Sequence, residues 1–376
     1  MHTLLRTLLG LMLLPWLLLP ASASENINDD ERERRMVGAV FTMTNAVDGN
    51  EVLAYRRGSD GALTPAGVFS TGGLGTGGGL GNQGGLVLSQ SGRLLFAVNA
   101  GSNQISVFAV RHGGLVLRDI IDSGGIRPVS IAVDHGLLYV LNAGSDNITG
   151  FYVTRRGKLK PLPGSTRPLS GSGTAPAQIE FSPKEHILVV TEKATNIIDT
   201  YQVNDDGLLD GPVVHTSAGA TPFGFAFDQR GRLFVSEAAG GAPDGSSVSS
   251  YRVLENGGLD AISSAVPTTE TAACWVVITR NGRFAYTTNT GSGSVSAYRI
   301  SQDGSLELRD PDGRAGDTGA GSRPIDMALS RNSHFLYTLN AGNNTISAFH
   351  VGSDGTLSAL PGVTGLSAGA NGLVAR

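Results

Sequence analysis

Cysteine is almost missing: Cys274 stands alone among 376 residues. No disulfide can form within the chain, so packing and strand pairing must hold it together. Charge is sparse too, at 16% against 40% hydrophobic residues, which excludes a disordered chain and leaves ample material for a core. No Lys/Arg cluster interleaved with aromatics occurs; Arg32, Arg34 and Arg35 alternate with acids, and acids exceed bases 32 to 28. That balance disfavours a nucleic acid partner. The seven histidines are scattered, with no His-Glu-x-x-His for zinc and no Gly-x-Ser-x-Gly for a serine nucleophile. A Gly-x-Gly-x-x-Gly at Gly79, Gly81 and Gly84 has no helix pattern after it and no Gly-Lys-Ser/Thr, which excludes a nucleotide cradle.

Glycine, by contrast, is abundant. Its 53 copies are scattered among short apolar runs, the pattern of many tight turns between many short strands, and so of an all-β protein. The first residues differ: Arg6, an apolar stretch from Leu8 to Leu19, then Ala21-Ser22-Ala23. This is the order of a secretory signal peptide, 1–23, and the apolar run is shorter than the roughly 20 residues of a spanning helix. A polar linker, 24–36, and one domain, 37–376, follow. The expected product is secreted or periplasmic, with no membrane attachment after cleavage and a net charge near -5 once Arg6 leaves.

One unit recurs through the domain: a short apolar strand, a turn, a second strand ending in Asn-Ala-Gly or a variant, a third strand, a turn, and a fourth stretch. Clear copies are 92–101 and 334–342. The landmark residue is Asn45, Asn99, Asn142, Glu192, Glu237, Asn289 and then Asn340, spaced by 43 to 54 residues. Four alternating strands per unit match a propeller blade, and seven units give a seven-bladed β-propeller of four-stranded blades. Asp60-Gly61, Asp206-Gly207, Asp303-Gly304 and Asp354-Gly355 fall between third and fourth strands, where a tight hairpin needs positive φ. The first unit starts with what reads as a second strand, while 370–375 reads as a first one. The C-terminal strand is therefore expected to complete blade 1 and close the ring, removing the open edge.

In such a blade the start of the first strand and the end of the second share a face. The landmarks and the steps Arg127-Pro128, Thr221-Pro222 and Arg323-Pro324 should converge there around the channel, so a ligand site is expected on this lead-in face. The landmark asparagines suit left-handed turns capped by their side chains. Glu192 and Glu237 break that pattern and are candidate general bases, or solvated or paired glutamates. Arg127 and Arg323 are candidates for holding a carboxylate, or for pairing with Glu192, Glu237 or Asp326. Gln178, Phe223, Cys274 and Trp275 follow the lead-in steps and either line a pocket or pack between blades. The glycine-rich run Thr71 to Gly85 reads as a flexible lid over the channel mouth. Glu and Asn oxygens suit calcium, but no EF-hand pattern occurs, and no metal or cofactor is expected.

The repeats, above all 191–196, 221–227 and 272–277, resemble the lactonase-type seven-bladed propellers, the family of 6-phosphogluconolactonase and the carboxymuconate lactonizing enzymes, across 37–376. The resemblance implies a channel site where a carboxylate, arginines and a histidine open or close a lactone, with Glu192 where the muconate enzymes place a glutamate. Where that family often carries histidine or arginine after a lead-in proline, this chain has Val129 and Ser130, and Ala177 and Gln178. A histidine-dependent mechanism is therefore not expected. The resulting expectation is a carboxylic ester hydrolase or cycloisomerase acting, as a monomer, on an exported lactone or aromatic-acid derivative. In that reading Glu192 or Glu237 activates water or removes a proton, and Arg127 or Arg323 holds an acidic group or the oxyanion. The alternative is a non-catalytic propeller that binds a protein, glycan or small molecule at the cell surface or in the periplasm.

Overall fold

The computed structural model describes residues 38–184 and 186–376. The expected signal peptide and linker lie outside the described residues. Among these, no helix is long and apolar enough to cross a membrane.

Seven antiparallel sheets follow one another. Blades 2 to 7 begin with the inner strands Leu86–Leu88, Pro128–Asp134, Pro176–Phe181, Pro222–Phe227, Ala273–Ile278 and Pro324–Leu329. Each inner strand packs on the next around the ring. In blade 1 the inner strand is Asn371–Ala375, paired antiparallel with Gly38–Met43. The fold is thus a seven-bladed β-propeller closed by its C-terminal strand, as the repeat pattern implied.

Alternation explains the packing. In Phe335–Asn340, one face meets the blade before and the other the blade after, so every residue of the strand is buried. Tyrosines reach from one blade to the next: Tyr139 donates to the carbonyl of Gly207, Tyr286 to that of Gly355 and Tyr337 to that of Gly61, at 2.8 to 2.9 Å. Those acceptors are the glycines of the tight hairpins, and their φ angles of 80°, 88° and 84° confirm the expected turn chemistry. A buried aromatic ring is therefore satisfied at its hydroxyl while it locks two blades together.

Landmark asparagines behave differently from the expectation. Only Asn45 has positive φ; the left-handed residues of the following turns are instead Asn103, Asp146, Asn196 and Asn344. The other landmark asparagines end their second strands, fully buried, and bond to the third strand, as Asn289 does to Ser294 and Ser296 and Asn340 to Thr345 and Ser347. A side chain facing inward between two strands has no route to cap its own turn.

Candidate functional site

The start of each inner strand and the end of the second strand do share a face. Backbone bonds join Ala143 to Arg127, Ala238 to Thr221, Thr290 to Ala272 and Ala341 to Arg323. Arg127, Thr221, Ala272 and Arg323 adopt positive φ, unusual for residues with a Cβ. Part of that conformation is held by the preceding blade: Asn103 accepts from the Arg127 N–H and Asn196 from that of Thr221, both at 2.7 Å.

The channel is closed on this face by the glycine-rich run, which is a pinned plug rather than a flexible lid. Asn45 donates to the Gly78 carbonyl and accepts from the Thr76 N–H. Asn82 donates to the Val129 carbonyl, and its own carbonyl accepts from the Trp275 indole at 2.7 Å. Gln83 crosses to blade 6, donating to the Val276 carbonyl at 2.9 Å and accepting from its N–H at 3.2 Å. Lys193 caps the plug from above, its Nζ 2.6 Å from the Gly81 carbonyl and 4.8 Å from the centre of the Phe223 ring. Burial pushes Lys193 down to about 8. Glycine is required where backbones meet: a Cβ at Gly75 would collide with the Asn45 backbone.

Beneath the plug lies a cavity of about 470 Å³ around the axis, reaching the opposite face at Gln90, His135 and Pro183. The site expected on the lead-in face therefore has its open space on the other side, because Gln83 and Asn82 fill the mouth. Glu180 is the cavity's most distinctive group. It is half-buried, accepts from Gln178 at 3.0 Å, and burial pushes its carboxyl up to about 7. Asp326 also borders the cavity and is 3% exposed. It accepts from the N–H groups of Met327 and Leu373 at 2.7 and 2.9 Å, the latter on the closing strand, and burial pushes it up to about 8. At the mouth, His135 Nδ1 lies 2.7 Å from Asp134 Oδ2.

The residues singled out in the sequence are dispersed. Glu192 is fully buried and receives Ser170 N–H, Ser170 Oγ and Thr195 Oγ at 2.5 to 3.0 Å. Glu237, equally buried, receives the Gly219 N–H and the hydroxyls of Ser217, Ser247 and Ser249, and burial raises its pKa against those bonds. Each glutamate ties the segment leading into its blade to that blade's own strands and turns, and neither has surface for a substrate to touch. Arg127 and Arg323 are exposed and make no ion pair among the described residues. Phe223 and Trp275 pack together with ring centres 5.0 Å apart, buried under the plug. Only Gln178 borders the cavity. It spans blades 4 and 5, accepting from the Phe225 N–H and donating to its carbonyl.

Sequence reasoning missed Glu180, although a signal was present. The fifth inner-strand residue is Ala132, Ala226, Val277 and Ala328 in blades 3, 5, 6 and 7, and glutamate only in blade 4. It also missed Asp199, where blades 2, 3, 6 and 7 carry Ser106, Thr149, Ser296 and Ser347 seven residues after the landmark. The Ser170 N–H bonds to both Glu192 and Asp199 at 3.0 Å. Desolvation and the neighbouring glutamate hold the Asp199 carboxyl well above the ordinary range. No three His, Cys, Asp or Glu side chains are grouped to hold a metal among the described residues.

Comparison with known proteins agrees with this architecture. The profile described as lactonase, 7-bladed beta-propeller matches residues 43–168 and 228–324. A 6-phosphogluconolactonase of Formosa agariphila is 26% identical over 296 residues, 70% of this chain and 80% of that one. Among solved structures, the periplasmic gluconolactonase of Pseudomonas aeruginosa superposes with a TM-score of 0.71 at 17% identity, over 88% of this chain and 97% of that one. A protein from Lactobacillus plantarum gives 0.74 at 18% identity, over 90% and 99%. With more than half of its length matched by the family profile, the chain belongs to the seven-bladed β-propeller lactonase family.

Proposed function

We propose that this chain hydrolyses the lactone of a small organic acid in the channel cavity, with Glu180 as general base. The observation that carries the reading is a carboxyl on the cavity wall pushed up to about 7 by burial. A base with that pKa is substantially ionised at neutral pH yet basic enough to take a proton from water. Water loses its proton to Glu180 as its oxygen bonds to the lactone carbonyl carbon. The tetrahedral adduct then expels the ring oxygen, which leaves as a hydroxyl after regaining a proton. Gln178 holds Glu180 Oε2 in place. His135, oriented by Asp134, is a second acid–base group at the mouth. Membership of the family and the gluconolactonase name of one fold neighbour support the reaction class.

Glu192 and Glu237 are read as anchors, and Arg127 and Arg323 stand on the plugged face, outside this step. The signal-peptide pattern of Met1–Ala23 supports action outside the cytoplasm. The test is turnover of a lactone panel by residues 24–376. Glu180→Gln should lower kcat by roughly 100-fold or more, within the range of general-base catalysis, while Glu192→Gln and Glu237→Gln change stability and leave the kcat of the folded fraction intact. An active Glu180→Gln variant would overturn the assignment. No turnover on any lactone would favour a propeller that only binds.

A further inference from the structure

The electrostatic character of the same cavity bears on what it admits. Its wall carries the carboxyl groups of Asp134, Glu180 and Asp326 and, among the described residues, no lysine or arginine. Its imidazole, His135, is engaged by Asp134 at 2.7 Å. Arg127 and Arg323, which make no ion pair among the described residues, precede the inner strands of blades 3 and 7 on the lead-in face, where the Asn82–Gln83 plug closes the channel above the cavity.

An anion entering this cavity gives up hydration and meets no cation to replace it. Glu180, which must be ionised to act as a base, adds a repulsion that the half-enclosed setting screens less than bulk water does, whereas Asp326, held protonated by burial near neutral pH, adds none. Hydroxyl groups meet the opposite situation, because carboxylate oxygens are acceptors in need of donors. The volume, about 470 Å³, lies within the range of small-molecule sites. Resting on the lactonase reading above, we infer that the channel takes an uncharged, polyhydroxylated lactone and discriminates against phosphorylated or carboxylated ones.

The experiment compares kcat/KM for glucono-δ-lactone, 6-phosphoglucono-δ-lactone and a glucaric acid lactone at low ionic strength, corrected for spontaneous opening. The neutral lactone should lead by about 50-fold, the size expected for one like charge roughly 7 Å away at an effective dielectric of about 20. The gap should narrow as salt is raised. Gln90→Lys, which sets a cation on the exposed rim, should raise kcat/KM for the phosphorylated lactone relative to the neutral one. Equal or faster turnover of the anionic lactones would overturn the inference while leaving the lactonase reading intact. Absence of turnover on all three would overturn both.

Discussion

Asp326 offers a stability measurement whose size follows from its surroundings. Its carboxyl is 3% exposed, accepts two backbone N–H groups, and has burial as the leading cause of its rise to about 8. An unfolded aspartate titrates near roughly 3.9. Between those values the folded chain holds a proton that the unfolded chain has released, so stability falls as pH rises. This group's contribution is fully present below about 4, is lost progressively, and is gone above about 8. The slope for one proton is about 1.4 kcal/mol per pH unit, or about 2.7 kcal/mol between pH 5 and 7. Asp326→Asn keeps the shape and an acceptor for the Leu373 N–H but does not titrate; the misplaced NH2 adds an offset independent of pH. The variant's stability relative to the parent should therefore climb by about 1.4 kcal/mol for each unit from pH 5 to 7. Other titrating groups, Asp199 and Glu180 included, cancel in that difference. Urea unfolding followed through Trp275, the only tryptophan of residues 24–376, measures it, provided the m-values agree. A difference flat with pH would refute the claim that Asp326 is a buried neutral acid.

Further outcomes follow from the same geometry. The kcat/KM on a neutral lactone should rise with pH through about 7 as Glu180 loses its proton, and the rise should vanish in the residual activity of Glu180→Gln. Gln83→Ala leaves the Val276 N–H and carbonyl without their partner, which should lower unfolding stability by about 1 to 3 kcal/mol per group and quench or shift Trp275 fluorescence as the plug loosens. Arg127→Ala, at an exposed side chain with no ion pair among the described residues, should stay within about 0.5 kcal/mol of the parent. A chain ending at Ala370 loses the inner strand of blade 1 and should fail to unfold cooperatively in calorimetry.

The repeat determined most of the architecture without help. Strand length and alternation, Asp-Gly hairpins and seven spaced landmarks are local properties, and a blade is built almost wholly from neighbours in the chain. Closure by Asn371–Ala375 was legible too, because an incomplete first unit and a surplus last strand can pair only with each other. The site was not legible, for a physical reason. Whether Glu192 meets water depends on Ser170 and Thr195 folding over it, and whether Glu180 does depends on six other inner strands leaving a space beside it. Likewise, Gly75, which reads as flexibility in the sequence, is in three dimensions a place where two backbones approach too closely for a side chain. Which face of the channel is open is settled by Gln83 bonding to Val276, 193 residues away, a contact between blades that no local pattern encodes.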